Sequence, residues 1–369
     1  MVSRVLSFLK GEAVGCIALA CALISMLFVP PSAAYLQYID YRVLALLFCL
    51  MAVVAGLQAS GLFDWMGRRL LAGRKSFRLL CGVLVLLPFF SSMLITNDVS
   101  LITFVPFTLL VLSLVGRTER ALYLVVLQTL AANLGSMATP VGNPQNLYLY
   151  NRSGMAFGSF CLLLAPYAAA SAAGIALLAL VPKSEKMHAE VKPEQQGSPR
   201  RIALFAALGA VCLLCIAKLL APLAAAGLTL AVLLVVDRPL LKKLDYALLA
   251  TFVAFFLFIG NMGRLPAFSA FLAGALAGRE VEVAVLASQV ISNVPAALLL
   301  AGYSSNWPAL IVGCDLGGLG TLIASMASLI SYKFFARRYP AQKGKYLLWF
   351  TLVNVGLLAV LMVLYYLVR

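Results

Sequence analysis

Between positions 13 and 367 the chain returns again and again to apolar runs as long as a bilayer is thick. They fall near 13–29, 43–60, 121–150, 155–181, 202–218, 222–236, 246–261, 307–332 and 346–367. A helix rises about 1.5 Å per residue, so about 20 apolar residues cross a hydrocarbon core of about 30 Å. In lipid every backbone N–H and C=O must be bonded inside the protein, which leaves helices or a closed barrel. A barrel would show short alternating segments instead. With 63% hydrophobic and 11% charged residues, the chain is far more apolar than a soluble domain. The fold class is therefore an all-α polytopic membrane protein.

Two further apolar segments do not read as single spans. Positions 79–115 are interrupted by SSMLITND and positions 281–303 by ISNVP. Each reads as two short arms with a polar tip, a re-entrant hairpin. The count is about nine full spans plus two hairpins.

The formal net charge is +15. The basic residues sit in short loops between spans, which is a membrane topology signal and excludes nucleic-acid binding. Six of the 28 Lys and Arg residues fall outside (Arg42, Arg152, Lys218, Arg264, Arg279 and Arg369) when the N-terminus is placed in the cytoplasm. The rest fall inside, and the expected location is a bacterial inner membrane or its equivalent. The opening MVSRVLSFLKGE and the apolar run after it have the outline of a signal peptide, but read as a first span. Arg117, Arg120, Lys333 and Arg338 read as interfacial anchors.

Eight cysteines lie in apolar stretches, so no disulfide framework is implied. Cys212 and Cys215 form a CxxC with no second pair and no neighbouring histidine, and read as helix packing. The one histidine, His188, lies in the stretch 182–201, which is rich in Pro, Gly and mixed charge. That stretch reads as a flexible cytoplasmic linker between an N-terminal part, 1–181, and a C-terminal part, 202–369.

Three short matches recur in the same order on either side of the linker. YIDYRVLALLFCLMAVVAG resembles KLDYALLATFVAFFLFIG, LITND resembles VISNV, and ANLGSMAT resembles CDLGGLGT. On the charge-based topology the two series enter the membrane from opposite sides. Two inverted repeats, each with a hairpin and a broken helix, are expected, as in many secondary transporters.

Four polar interruptions fall inside apolar runs: Thr96–Asp98, Asn133–Asn146, Ser292–Asn293 and Asp315–Thr321. Irregular backbone at membrane depth persists only where it is buried in protein or lines a wet cavity. Gly135, Gly142, Pro140 and Pro144 break the helical pattern, leaving free carbonyls on one side and free N–H groups on the other. Carbonyls suit small cations, and helix N-termini suit anions. The candidate cation- and substrate-binding residues are Ser92, Thr96, Asn97 and Asp98 at the first tip and Asn133, Gly135, Thr139, Gly142 and Asn143 at the first break. Ser292 and Asn293 at the second tip and Asp315, Gly317 and Thr321 at the second break complete the set. Asp98 and Asp315 are acids with no basic residue close in sequence, which favours a cation or a proton as partner. Asp40 and Asp245, each followed by tyrosine, read as helix caps. No His, Cys or acidic cluster of the kind an enzyme needs is apparent.

LITNDVSLITFVP, ANLGSMATPVGNPQN and SQVISNVPAA together resemble the ion transporter superfamily. Within it the chain is most similar to the citrate-transporter-like and arsenite-permease-like anion permeases, relatives of the divalent anion:sodium symporters. The resemblance implies a homodimer in which a transport domain moves elevator-fashion against a scaffold. It also implies sodium held at Asn97 and Gly135, with Ser92 and Thr96 alongside, and at Asn293 and Gly317, with Asp315 alongside. Dicarboxylate members carry Ser-Asn-Thr at each tip, whereas here the threonine positions are Asp98 and Val294. An ionised Asp98 repels a carboxylate, and Asn-Asp looks more like the arsenite-permease type. The function expected is secondary active transport of a small anion or oxyanion, carboxylate or arsenite-like, coupled to H+ or Na+. The alternative is a Na+/H+ antiporter. No cofactor is implied beyond the coupling ion.

Overall fold

The computed structural model describes residues 13–62, 65, 74–182, 186–188 and 198–368. Arg4, Lys10, Arg68, Arg69, Lys183, Lys192, Arg369 and most of the 182–201 stretch lie outside the described residues. The first series of elements is α1 (Ala13–Ser25), a one-turn α2 (Tyr35–Tyr38), α3 (Tyr41–Ala59), α4 (Phe77–Ile95), α5 (Asn97–Leu114), α6 (Ala121–Ser136), α7 (Pro144–Ser153) and α8 (Phe157–Ala179). The second series is α9 (Pro199–Ile216), α10 (Pro222–Val236), α11 (Tyr246–Met262), α12 (Pro266–Leu276), α13 (Glu280–Ile291), α14 (Asn293–Leu300), α15 (Trp307–Leu316), α16 (Met326–Arg338) and α17 (Lys343–Val368). Two three-residue strands, β1 (Arg74–Ser76) and β2 (Lys186–His188), pair antiparallel with Arg74 opposite His188. Within the expected linker, Lys186–His188 is thus a strand paired with β1, and Pro199–Arg201 already begins α9.

Local chemistry fixes many of the helix starts. Asp40 caps α3 by accepting from the Arg42 and Val43 N–H groups, and Asp245 caps α11 through Leu248. Ser76 caps α4 through Leu79. Proline occupies the first turn of α7, α9, α10, α12 and α15, where a missing N–H has no helical partner to lose. Pro266 also ends the continuity of α11, and α12 leaves it at 103°. The sequence reading assigned nothing to α12, because its 11 residues are too few for a span.

Both expected hairpins fold back on themselves. Gln128 on α6 donates one amide to the Leu84 carbonyl, 2.7 Å, and to Thr108 Oγ1, 2.6 Å, residues equally far from Thr96 on α4 and α5. The guanidinium of Arg117 lies over the Phe77 ring at 5.7 Å, so the outer ends of the arms also meet. Across the second tip, Ser304 donates to Glu280 at 3.4 Å, again at equal distances from Ser292. The arms differ from expectation in length. α4 and α5 have 19 and 18 residues, each as long as a span, whereas α13 and α14 have 12 and 8. Pro88 inside α4 removes the N–H that would bond Leu84, and Gln128 satisfies that orphaned carbonyl.

α6 is the central element. Leu124–Ala132 is buried throughout, as an all-round apolar helix must be. α4, α5, α8, α16 and α17 pack around it. α3 packs on α9 and α10, and α11 on α1. Six described helices are long and apolar enough to cross a bilayer, or seven if α11 and α12 form one bent span. Two of the six are the arms of the first hairpin. The shorter helices of the broken pairs fall below that length individually, as segments interrupted at depth do. Cys212 and Cys215 are free and buried on α9.

Candidate functional site

The two tips share one backbone geometry. Thr96 and Ser292 both adopt positive φ, 68° and 73°, although neither is glycine. An L-residue holds that conformation only where its surroundings over-determine it. The surroundings are the broken helices. The Asn97 N–H donates to the Gly142 carbonyl at 3.0 Å, and the Asn293 N–H donates to the Ala324 carbonyl at 2.9 Å. The Thr139 hydroxyl donates to the Met93 carbonyl at 2.6 Å, and Thr321 donates to the Gln289 carbonyl at 3.4 Å. Each tip is pinned to the irregular segment of its own series by matching residues.

Two glycines allow that approach. A Cβ on Gly135 would stand 2.0 Å from the Phe89 carbonyl oxygen and 2.7 Å from Ser92 Oγ. On Gly317 it would stand 2.4 Å from Ser288 Oγ. Both breaks begin later than the sequence pattern indicates: α6 runs through Asn133 and Gly135 to Ser136, and α15 runs through Asp315 to Leu316. The irregular segments are 137–143 and 317–325. Gly135 is present for want of space beside the hairpin and not to end the helix, which explains why its helix continues past it.

The side chains then join the two series. Asn97 Nδ2 donates to Asn133 Oδ1 at 3.0 Å, and Asn97 Oδ1 accepts from the Asp98 N–H at 3.0 Å. Asn133 Nδ2 donates to Ser328 Oγ at 3.0 Å, while its Oδ1 also accepts from Ser325 Oγ at 3.2 Å. In the opposite sense, Asn143 Nδ2 donates to Asp315 Oδ1 at 3.2 Å and to Ser136 Oγ at 3.3 Å. Asn143 also caps α7 by accepting from the Asn146 N–H at 2.8 Å. Asn133 and Asp315 hold matching positions, and each reaches the break of the other series.

A cavity of 330 Å³ opens beside the first tip, between α3, α5, α7, α11 and α16. Thr96, Asp98 and Asn143 are the predicted site residues in its wall. Gln58, Lys243, Asp245 and Lys333 supply its other polar groups, and the rest is aliphatic, methionine and proline. Lys333, expected to be an interfacial anchor, is exposed and also lines this cavity. The Asp98 carboxylate has no hydrogen-bond partner among the described residues. Ser92, Asn97, Asn133, Gly135, Thr139, Gly142, Ser292, Asn293, Asp315, Gly317 and Thr321 are not in its wall. Among the described residues there is no cluster of three His, Cys, Asp or Glu side chains that could hold a metal.

Sequence reasoning missed Ser288, Gln289, Ser325, Ser328 and Asn146. Gln289 ties the second break by donating to the Gly317 and Leu319 carbonyls and accepting from the Thr321 N–H. Extending the internal matches by a few residues finds most of them. Ser288 corresponds to Ser92, and Ser325 and Ser328 correspond to Asn143 and Asn146.

A family model described as citrate transporter matches residues 5–307. The chain is 31% identical to the inner membrane protein YbiR of Escherichia coli, over 88% of this chain and 89% of that one. It is 31% identical to an uncharacterized transporter of Methanocaldococcus jannaschii, over 80% and 81% of the two. It is also 39% identical to the silicon efflux transporter LSI3 of Oryza sativa subsp. japonica, over 39% of this chain and 29% of that protein.

Proposed function

This chain belongs to the citrate transporter family, a transporter of anions and not an enzyme, and we propose that it carries a small anion or oxyanion by secondary active transport coupled to H+ or Na+. The observation that carries this is the doubled tip contact, Asn97 to Gly142 and Asn293 to Ala324, beside a cavity that reaches only the first of them. Two inverted parts, 1–181 and 202–369 with 182–201 between them, suit alternating access by rigid movement of one against the other. The charge pattern supports a cytoplasmic N-terminus, and hence a cavity that opens to the cytoplasm where Lys243 and Lys333 attract an anion. The transport unit is α4 to α7 with α13 to α16, moving elevator-fashion against α3, α9 and α11 in a homodimer. The cation is held behind the tips, with Asn97 and Gly135 on one side and Asn293 and Gly317 on the other.

Asp98 selects among anions. Its carboxylate stands where a dicarboxylate would place like charge, and it can accept the hydroxyl of a weak oxyacid. The likeness to a silicon efflux transporter over 39% of the chain supports an oxyacid over a carboxylate. A Na+/H+ antiporter is the second reading, favoured by the unpartnered carboxylate of Asp98 and the buried Asp315. Charge movement in proteoliposomes on a supported membrane separates them. Jumps of citrate, succinate, arsenite, silicate or phosphate at fixed cation should evoke current or flux with one class of anion. A response to sodium or pH that no anion alters would select the antiporter.

A further inference from the structure

At the start of α3 a second cavity, of 430 Å³, lies among Gln37, Tyr38, Asp40, Tyr41, Arg42 and Arg152. Basic residues are scarce on the outer side of a membrane protein, and the charge-based topology leaves six of the 28 there. Four of those six gather at this cavity. Arg42 and Arg152 line it. The Arg264 guanidinium lies 5.5 Å over the ring of Tyr38, in its wall. Lys218 donates to the carbonyls of Gly154, 3.2 Å, and Met155, 3.3 Å, just beyond Arg152. Lys218 and Arg264 are thus engaged. The guanidinium groups of Arg42 and Arg152, both exposed, have no hydrogen-bond or ion-pair partner among the described residues. Asp40 is the acid in the wall, and its Oδ1 is committed to capping α3. Two guanidinium groups against one carboxylate leave the wall with a net positive charge.

This cavity stands on two of the helices that wall the one beside the first tip. Leu47 on α3 and Leu147 on α7 line the inner cavity, and Arg42 and Arg152, each five residues away, line the outer one. Five residues of helix rise about 7.5 Å. Within those turns Val43, Leu46 and Tyr148 are buried, and the Tyr148 ring meets Phe256 at 5.9 Å. A packed layer of about that thickness therefore parts the two cavities.

We infer that Arg42 and Arg152 form a binding site for an oxyanion at the outer end of the route whose inner cavity Thr96, Asp98 and Asn143 line. A guanidinium is a planar fork of donors that matches the paired oxygens of a phosphate or carboxylate, which an ammonium does not. Two such forks on different helices in one cavity suit a single anion held between them. The net positive wall also concentrates anions from the surrounding water. The occupant is a free oxyanion or the phosphate of an anionic lipid headgroup, because both present the same oxygens. The place of the site on a transport route rests on the transporter reading, but the binding of an oxyanion does not.

The test uses the full chain in nanodiscs of phosphatidylcholine. Inorganic phosphate is titrated calorimetrically at low ionic strength into the wild type, Arg42→Gln, Arg152→Gln and the double variant. The wild type should show a saturable component that each single variant weakens about tenfold or more and the double variant lacks. Arg42→Lys with Arg152→Lys keeps the charge but loses the forks, and should restore only part of it. Both arginines are exposed, so the variants should fold, and their melting temperatures check this. The titration is repeated in discs that contain phosphatidylglycerol. Loss of the component there would identify a lipid headgroup as the occupant, and its persistence would identify the free anion; either result supports the site. A wild type that binds no phosphate in phosphatidylcholine discs, or a double variant that binds it as the wild type does, would overturn the site. Phosphate bound at the arginines with no anion carried in proteoliposomes would leave the site standing and remove the transport reading. Anion flux with no such component would do the reverse.

Discussion

The first and second hairpin tips have the same backbone and different surroundings. Both hold a non-glycine residue at positive φ and both donate a main-chain N–H to a broken helix. The residue after the asparagine is Asp98 in one and Val294 in the other. Asp98 faces a cavity; Val294 is buried. The arms of the first hairpin are as long as spans, while those of the second are 12 and 8 residues. Symmetry thus governs how a tip is held, and asymmetry governs what it meets. A device that exposes one tip at a time needs both properties.

That comparison can be broken most directly at the asparagines. Asn97→Ala and Asn293→Ala should each lower anion flux in proteoliposomes at least about a hundredfold, while the purified variants remain monodisperse; a loss of well-placed polar contacts at a transport step has effects of this order. Flux near wild type in either would remove that tip from the site. The glycines sharpen the contrast. Gly135→Ala meets backbone, the Phe89 carbonyl, and should cost about 1–3 kcal/mol of stability. Gly317→Ala meets chiefly the Ser288 side chain and should cost about 1 kcal/mol. Thermal melts of the two variants should rank them in that order. Gln128→Leu orphans the Leu84 carbonyl that Pro88 freed, and should lower stability by about 1–3 kcal/mol with no counterpart in the second hairpin.

Asp98→Asn should have a smaller and more specific effect. While Asp98 is ionised it opposes an anion in the cavity, so wild-type uptake of a permanent anion should fall as pH rises through its titration. The variant should lose that fall and bind the anion a few-fold more tightly. Val294→Asp, the reciprocal change at the buried tip, should reduce folding yield, because it adds an unpaired charge at a buried position.

Much of this architecture is legible in the chain. Apolar run length gives the membrane class, and the three internal matches locate both tips and both breaks to within a few residues. Asp40 and Asp245 cap their helices as their Asp-Tyr context indicates. What the sequence conceals is packing. α12 is too short to register as a span, and Gly135 looks like a helix breaker until Phe89 is seen against it. Lys333 resembles every other interfacial lysine, because only the fold brings α16 to the cavity. Asn146 hides among four breaking residues, and nothing local shows that its amide meets the Met137 and Thr139 carbonyls.

The exposure of one tip and the concealment of the other can be measured without knowing the substrate. Ile102 lines the cavity above the first tip, and its counterpart past the second tip, Leu298, is fully buried. Ile102→Cys and Leu298→Cys, each in a background whose reactive native cysteines have been replaced, can be labelled in sealed vesicles with a membrane-impermeant maleimide from either face. The expected result is fast labelling at 102 from the cytoplasmic face and none at 298, with 298 becoming reactive from the opposite face as 102 is protected when ions and anion are supplied. Equal reactivity of both positions from one face, under all conditions, would contradict a pair of tips that open in turn.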